Sequence, residues 1–242
     1  MKQYEAVMKV MEENGGYSTL NNLYQKVLLV KNCKWETQTP YASIRRIVQD
    51  KRFFFKIKPG LWALKNKKPE VLSLLKLDIK DKESNKDFSH TYYQGLLIEI
   101  GNMKNMKTYV PAQDQNKLYL NMKLHEMITL SHIFPFTYEN IIKKAQTVDV
   151  SWFNQRCFPH SFFEVEHTTD IYNSLLKYTE LQDFYTCFYI VSDKSRKREY
   201  QTKLSMDVFN CIATRVKFMD YDYLSSLHAK VSQLFILEKD LY

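Results

Sequence analysis

Residues 148–169 read VDVSWFNQRCFPHSFFEVEHTT. Two strand-like runs lie in this stretch. Asp149 sits inside the first, and Glu164 and Glu166 stand two apart in the second. In a strand, residues i and i+2 face the same side. Both glutamates therefore project together, while Phe163 and Val165 face the other way. Fourteen residues separate Asp149 from Glu164, enough to cross by a hairpin into a neighbouring strand. The spacing thus predicts three carboxylates in one patch. Like charges crowd together in a low dielectric only with compensation. A divalent cation is the common compensation, and hard oxygen ligands suit Mg²⁺ or Mn²⁺. The competing reading is a polar stripe on a half-exposed strand. Large apolar neighbours around all three acids favour a buried sheet instead.

Outward from this block, strands and helices alternate. YYQGLLIEIGNMKNMK places Tyr93, Leu96, Leu97, Ile100 and Met103 on one helix face, with Glu99 about 60° from Leu96 at the margin of that face. TYVPAQD reads as a short strand entering a loop, and KLHEMITLSHIF as a further apolar stretch. TTDIYNSLLKYTELQDF reads as a helix capped by Thr168 or Thr169 and carrying Lys177. FYTCFYIVSD suits an interior strand, SRKREYQTKLS a polar helix, ATRVKFMDY another strand, and YLSSLHAKVSQLFIL a last helix. This alternation predicts an α/β domain with a mixed central sheet flanked by helices, over residues 91–242. Residues 69–90, rich in charge towards their end, read as a linker.

The first 68 residues differ in charge. They hold 14 Lys or Arg against 5 Asp or Glu, whereas the rest holds 21 against 22, for a chain total of +8. A helix over about 2–13 ends at Gly15-Gly16. Ser18 or Thr19 caps a second helix, and Thr39 a third with Pro40 in its first turn. RFFFKIKPGLWALKNK then gives two short strands, Phe53–Ile57 and Leu61–Leu64, about a Lys58-Pro59-Gly60 turn. Three helices and a hairpin make a small winged-helix domain. In that arrangement the third helix enters the major groove of double-stranded DNA, with Tyr41, Ser43, Arg45, Arg46 and Gln49 on its open faces. Lys56 and Lys58 of the wing lie along phosphates. The competing readings are a solvated basic surface and a module used for protein contacts.

Two resemblances extend these readings. Through SIRRIVQDK and FFFKIKPGLWAL, residues 1–68 resemble the HARE-HTH type of winged helix. Residues 91 to about 220 resemble the PD-(D/E)XK nuclease superfamily, which includes many restriction endonucleases. That family carries an acid on one strand and Asp/Glu-x-Lys on the next. The resemblance implies a restriction-endonuclease-like domain in which Asp149 and Glu164 are metal ligands and Glu99, from the first helix, supports the metal site. Glu166 occupies the lysine position, as it does in some restriction enzymes. It implies a water-orienting or proton-accepting role there, or a further ligand, with Lys177 of the following helix supplying the displaced positive charge.

The function implied is Mg²⁺-dependent hydrolysis of duplex DNA by an endonuclease of type II restriction kind, with Mn²⁺ as an alternative ion. Symmetric cutting would favour a homodimer. The rivals are a non-catalytic DNA-binding regulator on a degenerate nuclease fold, which Glu166 in place of Lys supports, and a protein-interaction adaptor. Several classes are disfavoured. Cys33, Cys157, Cys187 and Cys211 are scattered, with no CxxC pair for zinc. His132, His160 and His167 lack metal-ligand spacing, although His167 neighbours Glu166. There is no phosphate-binding glycine loop and no serine or cysteine nucleophile motif. The basic run Lys194, Arg196, Lys197, Arg198 reads equally as a DNA-channel wall or a solvated face. With no apolar run of membrane-spanning length and no signal peptide, the chain is expected to be cytoplasmic and DNA-associated, without a membrane partner.

Overall fold

A computed structural model describes residues 1–77 and 82–239. The chain divides into two units, one comprising residues up to Asn85 together with Ser225 onward, the other Lys86–Leu224.

In the first unit, α1 (Gln3–Glu13) ends at Gly15 and Gly16, both at positive φ, where glycine turns the chain without Cβ strain. β1 (Tyr17–Thr19) follows, and Thr19 caps α2 (Leu20–Lys26) by accepting the Asn22 amide. α3 (Pro40–Ile47) has Pro40 in its first turn, as expected, but Thr39 caps it through its backbone carbonyl rather than its hydroxyl. β2 (Phe54–Lys58) and β3 (Leu61–Leu64) form the expected hairpin, with Gly60 at φ +81°. β1 adds to β3 as a third antiparallel strand, in the order β1-β3-β2. Val7, Met11, Leu23, Tyr24, Ile44, Phe54 and Leu64 make the core, and Ala229 of the last helix packs into it.

The stretch read as a linker carries α4 (Lys68–Leu74) and the start of α5 (Lys82–Met103); its residues 78–81 lie outside the described residues. The last helix begins in one unit and ends in the other, because the side chains from Ser225 onward include Ala229 of the N-terminal core.

In the second unit, α5 leads to β4 (Lys107–Tyr109), the small hairpin β5 (Leu118–Tyr119) and β6 (Met122–Lys123), then α6 (Leu124–Met127) and α7 (Glu139–Ala145). β7 (Val150–Phe153), β8 (Pro159–Glu166), α8 (Ile171–Thr179), β9 (Cys187–Ser192), α9 (Lys197–Leu204), β10 (Val216–Asp220) and α10 (Tyr221–Lys239) complete the order. The sheet runs β10-β9-β8-β7-β4, parallel from β8 to β10 and antiparallel through β7 and β4. This is the mixed, helix-flanked sheet that the alternating pattern predicts. Each face of the pleat has its own cover. Phe162, Phe188 and Ile190 share a core with Ile171, Leu175 and Tyr178 of α8. On the other face, Trp152 packs at a tilt against Phe163 and donates its indole N–H to the Leu97 carbonyl of α5. Gly101 of α5 sits against Thr108 and Trp152, so close that a Cβ there would lie 2.6 Å from the Thr108 methyl. All four cysteines are free, and no described helix is long and apolar enough to cross a membrane.

Candidate active site

The site gathers at the end of β8. Glu164 and Glu166 are 4% and 5% exposed, although strands seldom bury charged side chains unpartnered. They lie on the α8 face of the sheet, with Phe162, as the two-residue period predicts. Val150 pairs with Phe163, so the same register carried one residue back sets Asp149 opposite Glu164. Asp149 stands just before β7 rather than inside it. This frees its side chain to accept the Val165 amide at 2.8 Å, closing the strand end with a charge-assisted bond.

α8 supplies the partners of the two glutamates. Its N-cap is Asp170, which accepts the Tyr172 amide, and neither Thr168 nor Thr169 takes that role. Thr169 instead donates to one oxygen of Glu166, and Ser174 donates to the other. One turn on, Lys177 donates to Glu164 Oε1 at 2.6 Å and to the Thr147 carbonyl at 2.9 Å. Ser174 and Lys177 are three apart and so share a helix face.

Burial pushes all three carboxyl groups upward. For Glu164 the shift is large, with Asp149 reinforcing it and Lys177 opposing it. Glu166 is raised by burial, with the Ser174 hydroxyl opposing. Asp149 is raised by burial against the opposing effects of His90 and the Val165 amide. The charged forms are therefore disfavoured chiefly by loss of water.

A type II restriction enzyme NmeDI C-terminal domain family model matches residues 71–241. The chain belongs to this family. No curated protein and no solved structure matches it. The NmeDI C-terminal domain match takes in α5, the whole mixed sheet, α8 and every carboxylate described above.

Within this NmeDI-type domain, Asp149, Glu164, Glu166 and Lys177 come together. Glu99 takes a different direction. It lies on α5 about 140° around the axis from Gln94, which hydrogen-bonds the Asp149 carbonyl. Its carboxylate accepts from the Tyr119 hydroxyl at 3.1 Å. Three residues that the sequence reading did not single out complete the surroundings. His90 Nδ1 lies 3.2 Å from the Val165 carbonyl, and its Nε2 lies 3.7 Å from Asp149 Oδ1. Gln94 donates to the Asp149 carbonyl and to Asp114 Oδ2. Asp114, 2% exposed, also holds Lys117 at 2.7 Å. His90 and Gln94 are four apart on α5 and so share a helix face, which is the one signal that would have marked them.

In the N-terminal unit, Arg46, Gln49 and Lys56 are exposed, while Tyr41, Ser43, Arg45 and Lys58 are half-buried. Tyr41 packs edge-on against Tyr24, 5.0 Å between ring centres. Burial lowers the Lys58 pKa. Along the expected basic run, Arg196 pairs with Glu199 and donates to the Thr169 carbonyl beside the site.

Proposed function

We propose that the chain is a divalent-cation-dependent endonuclease of duplex DNA, of type II restriction kind, built on the PD-(D/E)XK plan. The observation that carries this reading is the buried pair Glu164 and Glu166 beside the half-buried Asp149, with Lys177 drawn onto Glu164 from α8. Membership of a restriction-enzyme family supports it. A structural polar stripe would sit at the surface with its charges solvated, and these charges are not.

The donor set fits Mg²⁺ or Mn²⁺. Asp149 and Glu164 would hold the ion, since both offer carboxylate oxygens whose charged forms burial disfavours more than Lys177, His90 and the Val165 amide restore. When bound, the ion supplies Lewis acidity that makes water a nucleophile and offsets the charge that builds on phosphate. The protein's own groups do the rest. The Val165 amide fixes the Asp149 carboxylate in place. Lys177 takes the part of the lysine missing from the strand, holding Glu164 and presenting a cation to the developing phosphorane charge. Glu166, held by two hydroxyls, orients the attacking water and accepts its proton; burial raises its pKa, which makes it the stronger base. The water oxygen bonds to phosphorus as the bond to the departing ester oxygen breaks.

The N-terminal unit is proposed as a winged helix that adds affinity for double-stranded DNA. Its three helices, β-hairpin and exposed Arg46 and Lys56 support this. Cutting both strands would call for a homodimer.

The test is cleavage of mixed-sequence duplex DNA with and without Mg²⁺, alongside Asp149→Ala and Glu164→Ala. Discrete metal-dependent fragments that vanish in both variants are expected. Intact binding with no cleavage of methylated or unmethylated DNA would favour the non-catalytic regulator.

A further inference from the structure

The geometry points to a second divalent-cation position, formed by His90, Asp114 and Asp149, for divalent transition ions that accept an imidazole nitrogen beside carboxylates. It shares Asp149 with the proposed catalytic pair, but ion binding here does not require the chain to cut DNA.

Three observations converge on it. The first is spacing. One donor atom from each residue lies within 4.8 Å of the other two. His90 Nε2 is 3.7 Å from Asp149 Oδ1 and 4.0 Å from Asp114 Oδ2, both too long for hydrogen bonds. An ion with bonds of about 2.1 Å holds its donors roughly 3.0–4.2 Å apart. A small inward shift therefore closes the three donors on one ion.

The second is the imidazole's orientation. A carbonyl oxygen only accepts, so the contact of His90 Nδ1 with the Val165 carbonyl places a proton on Nδ1. In the neutral ring, Nε2 then carries the lone pair, aimed at two carboxylates. A backbone carbonyl on one ring nitrogen is the arrangement that presents the other to a metal.

The third is an orphaned acceptor. Gln94 is fully buried, and its amide nitrogen bridges Asp114 Oδ2 at 2.8 Å and the Asp149 carbonyl at 3.1 Å. Its Oε1 is buried and has no hydrogen-bond partner. A buried acceptor left unpaired is unusual and calls for a ligand, an ion or a water. Gln94 thus brings a buried amide, with one oxygen unsatisfied, to the edge of the same cluster.

Donor chemistry sets the class of ion. Mg²⁺ and Ca²⁺ favour all-oxygen shells, whereas imidazole suits transition ions such as Zn²⁺, Fe²⁺ or Ni²⁺; Mn²⁺, at home with carboxylates, is the paramagnetic probe of the site. The Asp149–Glu164 pair offers oxygen alone, so the two positions differ in preference.

The test uses Mn²⁺ with the full chain and no DNA. Loss of the free-ion EPR signal gives stoichiometry and affinity, and electron spin-echo modulation of the bound ion reads a directly ligated imidazole nitrogen. Wild type is expected to show that nitrogen. His90→Ala should abolish it and weaken Mn²⁺ binding about tenfold or more. Glu164→Gln, outside the cluster, should keep it. His90→Gln, closer in shape, separates loss of a ligand from loss of fold, and should lose the nitrogen signal with an unchanged circular dichroism spectrum. Absence of bound Mn²⁺, or bound Mn²⁺ without the nitrogen in wild type, overturns the proposal. So does a nitrogen signal that survives in His90→Ala. Cleavage is scored separately: nitrogen-ligated Mn²⁺ in a chain that cuts no DNA leaves this site standing and removes the nuclease reading.

Discussion

Lys177 and Glu164 meet at 2.6 Å, the lysine arriving from α8 and the glutamate from β8. The ammonium, 22% exposed, also donates to the Thr147 carbonyl, so one side chain ties the helix, the strand and the loop before β7. The pair places a positive charge where the Glu-x-Glu strand lacks one.

Removing that charge should cost both activity and stability. Lys177→Met leaves Glu164 buried with no counter-ion, so its carboxyl rises further. Cleavage should fall about 100-fold or more. Urea unfolding should show a loss of roughly 1–3 kcal/mol. Lys177→Arg should restore part of the stability. Cleavage at wild-type rate in Lys177→Met would remove the lysine from the mechanism.

Glu164→Gln should separate stability from function. Burial outweighs Lys177 in setting the Glu164 pKa, so the charge is a net cost to the fold without an ion. The amide keeps an acceptor for Lys177 and removes that cost. The melting temperature at pH 7 in EDTA should hold or rise, while cleavage is lost. A large fall in melting temperature would mean that the ion pair, not the burial, dominates.

The three raised carboxyls set a sign for pH. A group bound to its proton more tightly in the folded state favours folding at low pH. That contribution is fully present below the unfolded carboxyl values, near 3.8 for Asp149 and 4.5 for the glutamates, and is lost as pH rises through the raised folded values. The site's contribution to stability without metal should therefore fall with rising pH. Mg²⁺ or Mn²⁺ competes with those protons, so the melting shift it produces should grow between about pH 5 and pH 8. A shift that is flat or shrinks over that range would contradict binding at these carboxyls.

Gly101→Ala tests the fit of α5 on the sheet. Alanine normally gains about 1 kcal/mol over glycine inside a helix. Here its Cβ would meet Thr108 Cγ2 at 2.6 Å and Trp152 Nε1 at 2.7 Å. Overpacking of roughly 1–3 kcal/mol should more than cancel the gain. Thermal denaturation should show a net loss, and a stabilised variant would place α5 less tightly on β4 and β7.

Paired substitution of the exposed Arg46 and Lys56 by Ala should weaken DNA binding across all sequences. The slope of log affinity against log salt should fall by about one unit for each phosphate that the variant no longer neutralises. Equal affinity and slope in the variant would assign the N-terminal unit another role.

Much of this fold follows from short-range rules that can be read along the chain. The two-residue strand period put Glu164 and Glu166 on one face, opposite Phe163 and Val165. Gly15-Gly16, Pro40 and Gly60 marked ends and turns, because φ preferences and missing donors act within a few residues. The alternation of strand and helix patterns set a mixed, flanked sheet. Other features arise between residues far apart, where packing sets the outcome. Packing joined β1 to β3, took Ala229 into the N-terminal core, and gave Asp170 rather than a threonine the cap of α8. It turned Glu99 to Tyr119 and brought His90, Gln94 and Asp114 to Asp149, across 59, 55 and 35 residues of chain. No local period encodes those meetings. For His90, Gln94 and Glu99 they go with the seating of α5 on the sheet, where Gly101 lies against Thr108 and Trp152 and the Leu97 carbonyl accepts from Trp152.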